Sequence, residues 1–315
     1  MEDKGSSIVV VGSSNVDLIA RVSHLPSPGE TVGEAVYTTA YGGKGANQAI
    51  AAARTGGEVT FVSNLGEDAY GRHLLPYFRD NGLATDHIYL EKGHPTGVAF
   101  ILVADSGENC ISVAPGANWL LKGEKLEQVF SLVEQSRIIL LQFEIPYQSV
   151  VQLIEHAAAS GVKVALNPAP ARKIGSDVLS KVDILILNET EAEAITGLKF
   201  SGDTPLSIAG ELFRKGPGTV ILTMGHNGVF VYTADIRAHL PAHQVPVVDT
   251  TAAGDTFCGA FVTHLARTGD VSEAARYANA AAALSVTTLG AQPSIPRHAD
   301  IEAFLREEPA VDVSN

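Results

Sequence analysis

The sequence predicts a doubly wound α/β fold: a mostly parallel sheet flanked by helices, with a small β-sheet inserted into it. Three observations lead there. Short aliphatic runs alternate with helical patterns through most of the 315 residues, the order that builds a parallel sheet with helices on both faces. Several of these runs, Ile8–Val11 among them, show no polar alternation, as expected of strands buried on both faces. Two stretches, Val16–Tyr41 and Gly97–Val113, break the alternation and read as pairs of extended strands.

Composition narrows the class. A 45% hydrophobic and 18% charged balance is that of a globular protein, and the length favours one large domain with a smaller annex. The formal net charge of −13 argues against nucleic acid or an anionic membrane as a partner. Any polyphosphate must then be held by local features. Cys110 and Cys258 form neither a disulfide framework nor a metal-ligand spacing, which fits a reducing cytoplasm. No signal peptide or membrane span is expected.

Taken in order, Ile8–Val11 ends in Gly12, and Ser13–Asp17 follows where open α/β sheets bind ligands. Val16, Leu18, Ala20 and Val22 alternate with Asp17, Ile19 and Arg21. A Pro26–Gly29 turn and a β-rich stretch, Val32–Tyr41, complete the first strand pair. Gly97–Val103 and Asn109–Val113, joined at Asp105–Gly107, form the second. Together they make a sheet with one apolar face in need of cover, or an edge extension of the main sheet. Further strands are expected at Val59–Val62, Ile138–Leu141, Val162–Leu166, Ile184–Leu187, Val220–Thr223 and Val229–Tyr232. Helices are expected at Ala46–Arg54, Tyr70–Asn81, Leu126–Gln135, Ser149–Ser160, Glu189–Thr196, Leu206–Lys215, Gly254–Arg267 and Ser272–Thr288, before a tail from Glu307. The core thus comprises 1–14, 42–96 and 114–315, and the inserted sheet 15–41 and 97–113.

Chemistry-bearing residues gather at strand ends. Ala252, Ala253 and Gly254 lie where a loop becomes a helix, small enough to let a phosphate reach the unpaired N–H groups at the positive end of the dipole. Asp255 follows in the first turn. It either caps the helix or serves as a base beside that anion hole, and locally the two readings are level. The glycines of Gly42–Gly45 match neither a Walker loop nor a dinucleotide loop. They suit close backbone approach to a small polyol, with Asn47 pointing into the site and Lys44 on a phosphate, on a hydroxyl or in solvent. Glu189 and Glu191 open a helix, where the dipole alone would favour them.

Asp249–Phe257 closely resembles the C-terminal signature of the ribokinase-like carbohydrate kinase family, and Tyr41–Ala49 resembles its N-terminal one. The resemblance extends from Val10 to about Phe304. It implies an ATP-dependent sugar kinase, in this variant of the signature for the 5-hydroxyl of D-ribose. Asp255 would be the base, with the backbone of Ala252, Ala253 and Gly254 forming the anion hole. Asn15, Val16, Asp17, Gly43, Lys44, Gly45, Ala46, Asn47 and Glu144 would hold the sugar. Asn188, Glu191, the loop Thr223, Met224, Gly225, His226, Asn227 and Gly228, together with Gly254 and Asn279, would hold ATP, with Mg²⁺ organised near Asn188 and Glu191. Asp249, Thr251, Ser285, Thr288, Gly290 and Ser294 would surround a K⁺ ion. The inserted sheet would be a lid and the interface of a cytoplasmic homodimer. Rival readings are a kinase for 2-deoxyribose, fructose, a nucleoside or a sugar phosphate, and a non-catalytic sugar-binding regulator; a regulator would be expected to lose Gly254 or Asp255.

Overall fold

The computed structural model describes residues 7–200 and 204–307. Its main sheet has nine strands. In chain order they are β1 (Ser7–Val11), β4 (Glu58–Gly66), β5 (Ile88–Glu91), β8 (Ile138–Leu141), β9 (Lys163–Leu166), β10 (Ile184–Asn188), β11 (Thr219–Thr223), β12 (Val229–Tyr232) and β13 (Arg237–Leu240). Across the sheet the order is β13-β12-β11-β10-β9-β8-β1-β4-β5. All neighbours are parallel except β11–β12 and β12–β13. Apolar side chains leave both faces of β1, β8 and β10, so two cores form. One lies under α1 (Lys44–Arg54), α8 (Ala253–Thr268) and α9 (Val271–Ser285). The other lies under α3 (Glu124–Glu134), α4 (Tyr147–Ala159) and α7 (Pro205–Arg214). Further helices are α2 (Ala69–Asp80), α5 (Ser176–Leu179), α6 (Glu189–Thr196), α10 (Ala291–Ser294) and α11 (His298–Glu307).

The inserted strands form a separate sheet, not an edge extension. It runs β3 (Val36–Gly42), β2 (Asn15–Val22), β6 (Gly97–Ala104), β7 (Asn109–Ala114), with β2 and β6 parallel and the outer pairs antiparallel. Large apolar residues are exposed on both of its faces, not on one. Register puts Val36, Ile111 and Val113 on the face that carries Asp17, and Tyr37 and Phe100 on the other. Its root is packed, with Asn15, Val16 and Gly97 buried, and so is the far end of its central pair, where Val22 and Ala104 are 6% and 5% exposed.

The structure adds β5, β13, α5, α10 and α11, which the sequence pattern does not announce. Val32–Tyr41 is extended only from Val36, and the late helix stops at Ser285 rather than Thr288. Thr287 and Thr288 turn back on the carbonyls of Leu284 and Ser285. Beyond Glu307, the expected tail lies outside the described residues. No helix among the described residues is long and apolar enough to cross a membrane.

Candidate active site

Residues at the ends of β9, β10 and β11 (Asn167, Asn188 and Thr223) meet the N-terminus of α8 around one pocket. The helix starts after Ala252, whose φ of 61° is left-handed although it is not glycine, and no side chain caps it. Strain of this kind costs roughly 1–3 kcal/mol. The capping role open to Asp255 is not taken. Its carboxylate turns inward, 7% exposed, and accepts N–H groups from Asn47 Nδ2 at 2.9 Å and Gln48 Nε2 at 2.9 Å. The helix amides therefore face a pocket of about 170 Å³ lined by Lys44, Asn188, Glu191, Thr250, Ala252–Gly254 and Asp255. Lys44 stands in this pocket. The Asp255 carboxylate first, then those of Glu144 and Glu191, hold its ammonium above the usual lysine range against the opposing effect of burial. Burial, helped by the charge of Asp255, raises Glu191, although the Asn188 N–H and Lys44 pull it the other way. Asn188 and Glu191 close a reciprocal cap on α6: Glu191 N donates to Asn188 Oδ1 and Asn188 N to Glu191 Oε2, each at 2.9 Å.

A carboxylate pair lies on the other side of Lys44. Glu144 accepts from Ser13 Oγ at 2.6 Å and from the Lys44 backbone N–H at 3.0 Å. Burial, and then the charge of Glu144, pushes Asp17 up to about 7. Among the described residues no protein donor reaches Asp17, so its oxygens are open to hydroxyl groups of a ligand. Asn15 is fixed by Asn118, whose Nδ2 donates to Asn15 Oδ1 at 2.8 Å. Gly43 has a φ of +90°, and a Cβ there would lie 2.8 Å from the Asn15 nitrogen, so the backbone closes over β2 only without a side chain.

A larger cleft, about 590 Å³, opens behind the helix N-terminus. Thr223, Gly225, His226 and Gly228 form one wall, Ala242–Val245 and Val247 another, and Asn279, Ala282, Ala283 and Val286 of α9 and its end the third. Thr223, Thr250, Ala253 and Gly254 line both this cleft and the smaller pocket. Asn279 donates to the Pro241 carbonyl and holds the second wall.

Several expected contacts are placed elsewhere. Val16 and Ala46 are 0% exposed and belong to the core. Gly45 packs on Gly12, where a Cβ would come within 2.5 Å of its carbonyl carbon. Met224 is buried in the second core, and Asn227 uses its carbonyl on His239. Val16, Gly45, Ala46 and Met224 thus shape the site from within the packed interior. Of the cation set, Asp249, Thr251 and Gly290 come together: Asp249 accepts from the Thr251 N–H and hydroxyl and from the Gly290 N–H. Burial would raise the Asp249 carboxyl, but those hydrogen bonds outweigh it and lower it. Ser285 and Ser294 donate their hydroxyls to the carbonyls of Ala282 and Ala291. No group of three or more His, Cys, Asp or Glu side chains among the described residues could hold a metal. A Mg²⁺ that keeps most of its waters needs few protein ligands, and Glu191 beside Asn188 fits that requirement. Residues absent from the expectation include Gln48, Asn118, Gln292 and the apolar cleft wall, although Gln48 stands inside the Tyr41–Ala49 string.

The model of the pfkB family carbohydrate kinases matches residues 6–298. The ribokinase of Haemophilus influenzae is 43% identical over 300 residues, 95% of this chain and 98% of the relative. The deoxyribokinase of Salmonella typhi is 36% identical over 299 residues, 94% of this chain and 97% of the relative. The solved Arabidopsis thaliana ribokinase, complexed with ribose and ATP, superposes with a TM-score of 0.90 at 32% identity, covering 96% of this chain and 100% of that one. With the family model spanning nearly the whole chain, and the anion pocket lying at the helix that carries Asp255, this chain belongs to the pfkB family of carbohydrate kinases.

Proposed function

We propose that the chain transfers the γ-phosphoryl group of ATP to the 5-hydroxyl of D-ribose, giving D-ribose 5-phosphate and ADP. The observation that carries this reading is the shared wall of the two cavities. Thr250, Ala253 and Gly254 line both, so a nucleotide in the large cleft delivers its terminal phosphate to the uncapped N-terminus of α8, beside Asp255. On the other side, Asp17, Glu144, Asn15 and the Gly43–Lys44 backbone offer the acceptors and donors that a pentose needs. Asp255 takes the hydroxyl proton as the oxygen attacks the γ-phosphorus. The backbone N–H groups of Gly254 and Asp255, with Lys44, stabilise the transferring group as ADP departs. Bound Mg²⁺, held through water by Glu191 and Asn188, would neutralise the phosphate charge. Asp249, Thr251, Gly290 and the carbonyls of Ser285, Thr288 and Ser294 make a monovalent-cation loop, for K⁺, beside the anion pocket.

Residues 15–41 and 97–113 act as a lid, and the exposed apolar residues of this sheet meet a second copy in a cytoplasmic homodimer. The relatives named ribokinase favour ribose. The deoxyribokinase relative makes 2-deoxyribose the second acceptor to test. The assay is ATP turnover with ribose, 2-deoxyribose, fructose, adenosine and fructose 6-phosphate, each in K⁺ and then in Na⁺ alone. Turnover should be highest with ribose and fall without K⁺, and Asp255→Asn should lose at least about 10²-fold in kcat. Binding without turnover on any acceptor would favour a regulator, and near-normal kcat in Asp255→Asn would remove Asp255 as the base.

A further inference from the structure

Asp255 is held from the protein side by a polar chain buried where a fold alone would place apolar side chains. Gln142, at the end of β8, donates from Nε2 to Gln48 Oε1 at 2.6 Å. Gln48 then donates from Nε2 to Asp255 Oδ1 at 2.9 Å and to Asn167 Oδ1 at 3.1 Å. Both glutamines are 0% exposed, and neither lines the two cavities. We propose that Gln142 and Gln48 form a one-way amide relay that fixes the carboxylate of Asp255 for taking the hydroxyl proton. The proposal rests on Asp255 being the base.

The direction of the relay follows from what each group can do. An ionised carboxylate only accepts, so Gln48 must turn its NH₂ toward Asp255. If the Gln48 amide turned over, its oxygen would face Asp255 Oδ1 and Asn167 Oδ1, while its NH₂ would face that of Gln142. Three repulsive contacts would replace three hydrogen bonds. Asp255 and Asn167 set this orientation, and Gln142 supplies the donor that the Gln48 oxygen needs in it. The far end of the relay shows its cost: Gln142 Oε1 is buried with no hydrogen-bond partner. That oxygen sits where a side chain on Gly12 would be, 2.1 Å from the position of a Cβ. Close helix packing completes the geometry. A Cβ on Gly259 of α8 would lie 2.4 Å from the Gln48 carbonyl oxygen, so α1 approaches α8 closely enough for its side-chain amides to reach Asp255. On the opposite side, Gln292 Nε2 donates to Asn47 Oδ1 at 3.0 Å and Asn47 Nδ2 to Asp255 Oδ2, so both carboxylate oxygens are fixed.

Gln48 and Gln142 are therefore positioning residues, and the test separates positioning from packing. In the full chain, Gln48→Met keeps the length of the side chain and removes its amide. It should lower kcat by about tenfold to a hundredfold, part of the ~10²–10⁴ that a general base supplies, with both KM values within about threefold. Gln142→Met should act in the same sense but less, and should add nothing once Gln48 is Met. In an Asp255→Asn background neither substitution should lower the residual turnover further, because the group they act through is gone. Gln48→Glu keeps the bond from Gln142 but turns an acceptor to Asp255, and should lose at least as much as Gln48→Met. Thermal midpoints and nucleotide titration establish that each variant is folded. Parent-like kcat in Gln48→Met or Gln48→Glu, or losses of the same size in the Asp255→Asn background, would overturn the relay. Near-normal turnover in Asp255→Asn alone would instead overturn the base.

Discussion

Replacing Asp17 with Asn should stabilise the protein above neutral pH while weakening its hold on the sugar. Burial, with the Glu144 charge second, raises the Asp17 pKa from 3.8 to about 7. Between those values the folded state holds the proton and the unfolded state has released it. The unfolded state then binds fewer protons, so stability falls as pH rises through that window, and the whole penalty is present above about pH 7. A shift of about three units at 1.36 kcal/mol each sets a ceiling of about 4 kcal/mol. Water at the partly open carboxylate lowers this, and about 1–3 kcal/mol is a reasonable expectation. Asn has nearly the same shape and no charge. Urea denaturation should therefore find Asp17→Asn more stable than the parent at pH 8, with the gap shrinking steadily toward pH 4. The same titration reaches the ligand: hydroxyl groups bind the ionised form, so the parent's KM for ribose should rise as pH falls below about 7. A stability gap of equal size at pH 8 and pH 4, or a parent more stable at pH 8, would refute the reasoning.

Two glycines of the site should behave oppositely. A Cβ on Gly254 meets nothing within 4 Å, and Ala in a helix is favoured over Gly by about 1 kcal/mol. Gly254→Ala should then keep or raise the thermal midpoint while its methyl obstructs the phosphate and lowers kcat. Gly43→Ala forces a φ of +90° and a 2.8 Å contact with backbone, so stability should drop by about 1–3 kcal/mol together with sugar affinity. For the lid, Ile111 is 55% exposed on the face that carries Asp17. Ile111→Asp should shift the mass seen by light scattering from that of the proposed dimer to that of a monomer, and an unchanged mass would remove that face from the proposed interface.

The parts legible in the sequence were those with a local physical signal. Strands buried on both faces carry unbroken aliphatic runs, and polar residues at their ends stand out; Asn15, Asp17, Glu144, Asn188 and Asp255 were found in this way or through the family words around them. Elements whose residues carry mixed signals were not legible. Arg-Ala-His-Leu becomes β13 only because β12 is beside it. Ala242, Val245, Val247, Ala282 and Ala283 of the large cleft's walls carry no chemistry of their own, and they become part of a site only when α9 comes to face the 241–248 segment.

The signature words themselves mix two kinds of constraint. Within Gly43–Gln48, Gly43 and Lys44 face the site, whereas Gly45 and Ala46 are pressed against β1 and its following loop, and Asn47 and Gln48 reach Asp255. A sequence string cannot separate residues that touch a ligand from residues that let two backbones come close, because the same small side chains do both. What separates them is the partner across the fold: Gly12 for Gly45, Gly259 for Gln48, Gln142 for the amide of Gln48. The close packing of α1 on β1 and α8 is thus a condition for the chemistry. Only when the helices approach over Gly12, Gly45 and Gly259 do neutral amides, and not water, surround the inner side of the Asp255 carboxylate.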